Sequence, residues 1–162
     1  MKIIRDKAIV EDACVHLAEE DAVPDAGTVT VSLARWQSDR EALLGRGNVG
    51  VRIGGEDDVR VLTDDLNRLA LLCLEFPIFA DGRGYSHAHI LRAHMKYDRE
   101  LRAVGQVLRD QIWNMSRVGI NAFEVAPGKS VEDALHAFSL YSVRYQSTVD
   151  QPLPIYRQPP PR

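Results

Sequence analysis

Between Thr28 and Phe138 short β-prone runs alternate five times with segments of helical spacing, and no other feature of the chain restricts its fold as strongly. The runs are Val29–Leu33, Val49–Ile53, Ala70–Phe76, Leu101–Val104 and Ile120–Val125. Strand-then-helix repetition predicts an α/β protein with a mostly parallel sheet and right-handed crossovers. Ala70 to Phe76 carries no charge before Glu75, the pattern of a strand buried on both faces. Ser38 to Glu41 has the spacing of a capping box, Asp58 precedes apolar positions at helical spacing, and Ser86 and Ser130 each stand where a helix can be capped. Gly119 is placed to stop the helix that begins near Val107. Five units fit a flat five-stranded sheet with flanking helices or an incomplete, barrel-like βα array. The flat sheet is favoured because five units are too few to close a barrel.

Met1 to Val10 has the pattern of a small hairpin ahead of the main fold, with Arg5-Asp6-Lys7 at its turn. At the other end, Pro152, Pro154 and Pro159 to Pro161 cannot continue a helix, so residues 1–150 form one α/β domain and 151–162 an extended strap. The chain of 162 residues carries 20 Lys and Arg against 23 Asp and Glu, a net charge of -3. No global basic field is available for nucleic acid or an anionic membrane. With no apolar run of spanning length and no signal-peptide pattern, a cytoplasmic location is expected. Cys14 and Cys73, with 58 residues between them, have no second thiol nearby in sequence and are expected to remain thiols. Two cysteines do not make a four-thiolate cluster, and no G-x-G-x-x-G follows a strand, so no cofactor is expected.

Ligands of parallel α/β sheets gather at the carboxyl ends of the strands. That places the best site at Asp81 to Ser86 together with Gly105 to Asp110. Gly82 and Gly84 bracket Arg83, putting a guanidinium at the mouth of a helix. From Arg83 to Arg109 six Arg or Lys face two acids, a local cationic excess in a net-negative chain. A small oxyanion could bind there, and the candidates are Arg83, Asp81, Ser86, Arg102, Arg109 and Asp110. The bland alternative makes Arg92, Lys96 and Arg99 a solvated helix face and Asp81, Arg102 and Asp110 structural ion pairs. His87, His89 and His94 cluster in sequence, but on a helix His89 points about 160° away from His87. No metal site is assigned. Tyr85, Trp113, Tyr141 and Tyr145 could stack a flavin or base, although such aromatics are more often core.

The segment reads FPxFxDGRGYSxAxxLR from Phe76 to Arg92, then ELRAxGxVLRDQ from Glu100 to Gln111, then RxGxxAFE from Arg117 to Glu124. These motifs resemble the bacterial family DUF934, whose members carry the label "oxidoreductase probably involved in sulfite reduction". The resemblance extends to the amino-terminal hairpin, Leu33 to Trp36 and the Tyr145 to Pro154 tail. It implies an accessory of assimilatory sulfur metabolism, with sulfite reductase or related proteins as partners. Self-association is a further expectation. The alternatives are a small-anion or phosphoester enzyme or sensor, and a non-catalytic interaction module. Val118 stands where members commonly have Cys, and Asp98-Arg99 where a Gly is usual.

Overall fold

The computed structural model describes residues 1–139, 147–151, 153, 154 and 157. Its centre is an eight-stranded sheet. The strands are β1 (Lys2–Arg5), β2 (Ala8–Glu11), β3 (Val15–His16), β4 (Val29–Ser32), β5 (Val49–Ile53), β6 (Leu71–Phe76), β7 (Glu100–Gly105) and β8 (Ala122–Phe123). Their order across the sheet is β2-β1-β8-β7-β6-β5-β4-β3. Strands β3 to β8 run parallel in sequential order, while β1 pairs antiparallel with both β2 and β8.

The five expected strands are all present, but a flat five-stranded sheet is not what they build. Glu11 ends β2 and Val15 begins β3, at opposite edges of the order. Seven strand intervals would separate those edges by about 34 Å in a flat sheet. Four residue steps reach at most about 14 Å. The sheet is therefore curled into a half-barrel, the incomplete barrel-like array, and the Asp12-Ala13-Cys14 link crosses its open side. Ring Nε2 of His16 on β3 meets both Glu124 carboxylate oxygens just past β8 at 3.0 Å, a contact that a flat sheet would forbid. The expected amino-terminal hairpin is present and joins the sheet. Asp6 and Lys7 turn it with φ of 48° and 64°, and Ile4 and Arg5 extend the sheet beside Phe123 and Ala122.

Steps in one direction along the sheet, each with a right-handed crossover, put the helices on one face. These are α1 (Leu33–Ser38), α2 (Arg40–Arg46), α3 (Arg83–His89), α4 (Arg109–Arg117) and α5 (Val131–Leu135). The main core lies between them and the sheet, with Val31, Val51, Leu72, Leu74, Phe76, Leu101, Ala103 and Phe123 contributing alternate strand residues and Trp36, Leu43, Leu91, Ile112 and Met115 facing them. Asp65, buried, accepts from Trp36 Nε1 at 3.2 Å and pairs with Arg40 at 2.6 Å, tying both first helices to the segment after β5.

Several expected helix starts move. The helix expected to open at Ser38 is α2, which starts at Arg40 with Asp39 as its N-cap; α1 precedes it, with Leu33 already helical and Ser32 accepting from Arg35 N. The segment opening at Asp58 makes a single 3₁₀ turn, Val59–Leu62. Ser86 lies inside α3, which starts at Arg83 with Gly82 as its N-cap and continues as a π-turn through His94. Gly119, at φ 96°, ends α4 as expected, and Ser130 caps α5 through Asp133 N. Tyr141, Tyr145, Pro152 and Pro159 to Pro161, on which the end of the last helix and the strap rest, lie outside the described residues.

Candidate functional site

The loop after β6 is anchored at both ends. Phe76 O accepts from Gln106 N at 2.7 Å, and Phe79 O accepts from Gln111 Nε2 at 3.2 Å. Gln111 also accepts from Leu108 N, so one buried amide fixes the loop and the start of α4 together. Held this way, Pro77 to Ala80 projects Ile78 and Phe79 into solvent. Arg83 opens α3 directly behind it. Its Nε and Nη2 donate to the two oxygens of Asp81 at 2.9 and 2.8 Å, and its backbone N donates to Asp81 Oδ1. Arg83 hydrogen bonds hold the Asp81 carboxyl down to about 2, and the same pairing raises the guanidinium. The remaining Nη1 edge meets Glu56, whose side chain is 89 % exposed against 6 % for Asp81.

Two glycines make this geometry possible, though not by a tight turn at Gly82 and Gly84. Neither has positive φ. A Cβ on Gly84 would lie 2.5 Å from Phe76 Cζ, so the helix start rests directly on the ring. A Cβ on Gly55 would lie 2.5 Å from Arg83 Nε, so the guanidinium lies across bare backbone.

The other candidates do not converge on Arg83. Ser86 is exposed on α3. Arg109 pairs with Asp133 at 2.7 Å, and Asp110 is exposed in the first turn of α4, close enough to Tyr85 to help burial raise its phenol. The cationic excess disperses as well. Arg92 is no solvated face: it donates to Gly119 O, Tyr97 O and Asn121 Oδ1, while Arg99 donates to Leu69 O. His89 and His94 rings meet edge to face at 5.6 Å, and no group of three His, Cys, Asp or Glu among the described residues could hold a metal ion.

Arg102 belongs to a second constellation, on the concave face away from the helices. Its side chain is 1 % exposed and donates to Glu100 Oε1 at 2.8 Å, Asp12 Oδ2 at 2.9 Å and Glu124 Oε1 at 2.7 Å. Arg5 adds a second cation, pairing with Asp12 at 2.7 Å and Glu100 at 2.8 Å. From Glu124 the chain of contacts continues through His16 to Thr30 Oγ1, at 2.5 Å from Nδ1. Arg52 donates to Thr30 Oγ1 and to Glu75, completing a band with side chains from β3 to β7. Burial alone would raise the carboxyls of Asp12 and Glu124. Their hydrogen bonds, to Arg102 and Arg5 for Asp12 and to His16 and Arg102 for Glu124, outweigh it and hold both below the usual range. Asp12, His16, Thr30, Arg52, Glu75 and Glu124 were not singled out by sequence. For His16, Thr30, Arg52 and Glu75 the signal was a polar residue at an alternate position of an otherwise apolar strand, which is how an inward-facing barrel layer reads, whereas Asp12 and Glu124 lie outside the strands. β6 is buried and apolar on both faces up to Glu75, as expected, with Leu72, Leu74 and Phe76 in the main core. On the concave face Leu71 and Cys73 share a small cluster with Val104, Cys73 lying in register between Arg52 and Arg102, and Cys14 packs on that cluster, which puts two cysteines far apart in sequence at one place.

Residues 50–156 match the family described as "Bacterial protein of unknown function (DUF934)". The chain belongs to this family. No curated protein matches it. The span matched to DUF934 takes in the whole Asp81–Arg83–Glu56 arrangement and Arg102, whereas Asp12, His16 and Thr30 precede it. No described helix is long and apolar enough to cross a membrane.

Proposed function

We propose that this DUF934 chain is an accessory of sulfite reduction that takes a small oxyanion on the Arg83 guanidinium. The observation that supports it is the unequal pairing of that group. Buried Asp81 holds Nε and Nη2 and fixes the orientation, while Nη1 meets, among the described residues, the surface carboxylate of Glu56. Exposed ion pairs contribute little. An oxyanion that forms charge-assisted bonds with the same edge can displace Glu56 without disturbing Asp81. The link to sulfite comes from the motif resemblance. Only two cysteines and no dinucleotide fingerprint support an accessory role over that of an autonomous reductase.

Ile78 and Phe79, 61 % and 57 % exposed on the same loop, favour a second reading in which the loop also contacts a protein partner. Deleting the gene tests the pathway: growth on sulfate or sulfite should slow while growth on cysteine is unchanged. Equal growth on all three would remove the sulfur assignment.

A further inference from the structure

A cavity of about 220 Å³ opens at the amino-terminal end of the half-barrel, lined by Arg5, Asp12, Cys14, Leu71, Glu100 and Arg102 among others. Cys14 lies on its wall, half-buried, and Cys73 is buried in the cluster on which Cys14 packs. Arg102 is beside both thiols and favours their anionic forms, although burial outweighs it and raises Cys14 to about 11 and Cys73 well above its usual value. The arrangement is asymmetric: one thiol is reached from the cavity, and the other is covered by the protein.

We propose that Cys14 and Cys73 form a two-step dithiol site whose co-reactant is a small organic disulfide entering this cavity. Cys14, as its thiolate, attacks one sulfur of the disulfide, forming a mixed disulfide and releasing one thiol. Cys73 then gives up its proton and attacks Cys14 Sγ, forming the Cys14–Cys73 bond and expelling the second thiol. The two protein thiols are oxidised by two electrons, and the small disulfide is reduced to two thiols. The product ties the Asp12-Ala13-Cys14 link to the centre of β6, fixing the crossing of the open side. High thiol pKa values make the first step slow at neutral pH and faster as pH rises toward that of Cys14.

The site is independent of the Arg83 reading, and the test uses the folded full chain with oxidised glutathione as probe. Thiol counts and intact mass should show wild type passing from two thiols to none, with no adduct retained and one linked peptide containing Cys14 and Cys73. Cys73→Ala should stop at a glutathione adduct on Cys14, and Cys14→Ala should not react while folded. Melting before oxidation establishes that each variant is folded; should either fail to fold, the wild-type linked peptide decides alone. Wild type that keeps two thiols or a stable adduct overturns the proposal. So does Cys14→Ala reacting at the wild-type rate.

Discussion

Arg102 is the residue whose loss the fold should tolerate least. It lies among three carboxylates and is 1 % exposed, so replacing it leaves those inward-facing carboxylates to Arg5, His16 and the Cys14 backbone N–H among the described residues. Arg102→Met should lower stability by about 3–5 kcal/mol in urea unfolding, the usual cost of breaking a buried pair on one side. Its pH dependence should change as well. In the wild type the folded Asp12 and Glu124 carboxyls titrate below their unfolded values. Their contribution is complete above about pH 4.5, where the unfolded groups are ionised, and declines as pH falls through the folded values. With Arg102 gone, burial acts on Asp12 without its main partner and its folded pKa should rise above the unfolded one. Acidification should then recover stability in the variant while it weakens the wild type. A variant whose urea midpoint falls in parallel with the wild type between pH 7 and pH 4 would contradict this. The sequence showed Arg102 as part of a local cationic excess. It could not show that the sheet curls, so that alternation along β7 sends Arg102 into an enclosed concave side, while Arg83 opens α3 outside it.

At the level of elements, the junction of β6 and α3 is set by contact between Gly84 and Phe76. A methyl group there would sit 2.5 Å from the ring, and both partners belong to fixed elements. Gly84→Ala should cost about 1–3 kcal/mol, the range for overpacking, and Phe76→Leu in the same chain should return part of it. Additive losses in the double variant, measured by thermal melts, would show that the two do not interact. All five main strands and the ends at Gly119 and Ser130 were legible, because apolar runs and terminators are local signals. The start of α3 was not, because Asp81 caps Arg83 N from outside the helix while Ser86 offered a better local capping pattern. Strand β3 has two residues, too few for any periodicity to register.

For the whole molecule, the curl is the feature that sequence left open. Five repeating units gave too few strands for a barrel. The closing elements are a hairpin that joins the sheet, a three-residue link across the open side, and the His16–Glu124 contact from the β3 edge to the end of β8. None of these has a local signature, since each depends on residues brought together over long separations. The result faces helices outward, fills the concave side with paired charge, and leaves Arg83 at the carboxyl end of the strands with one exposed, removable partner. Calorimetric titration of sulfite into the wild type, Arg83→Ala and Glu56→Gln tests that assignment. A contact to a charged group contributes about 1.5–3 kcal/mol, so Arg83→Ala should weaken binding roughly ten- to a hundredfold. Glu56→Gln should bind more tightly than the wild type, because the competing carboxylate is gone. Equal affinity in all three proteins, or no binding to any of them, would contradict the account.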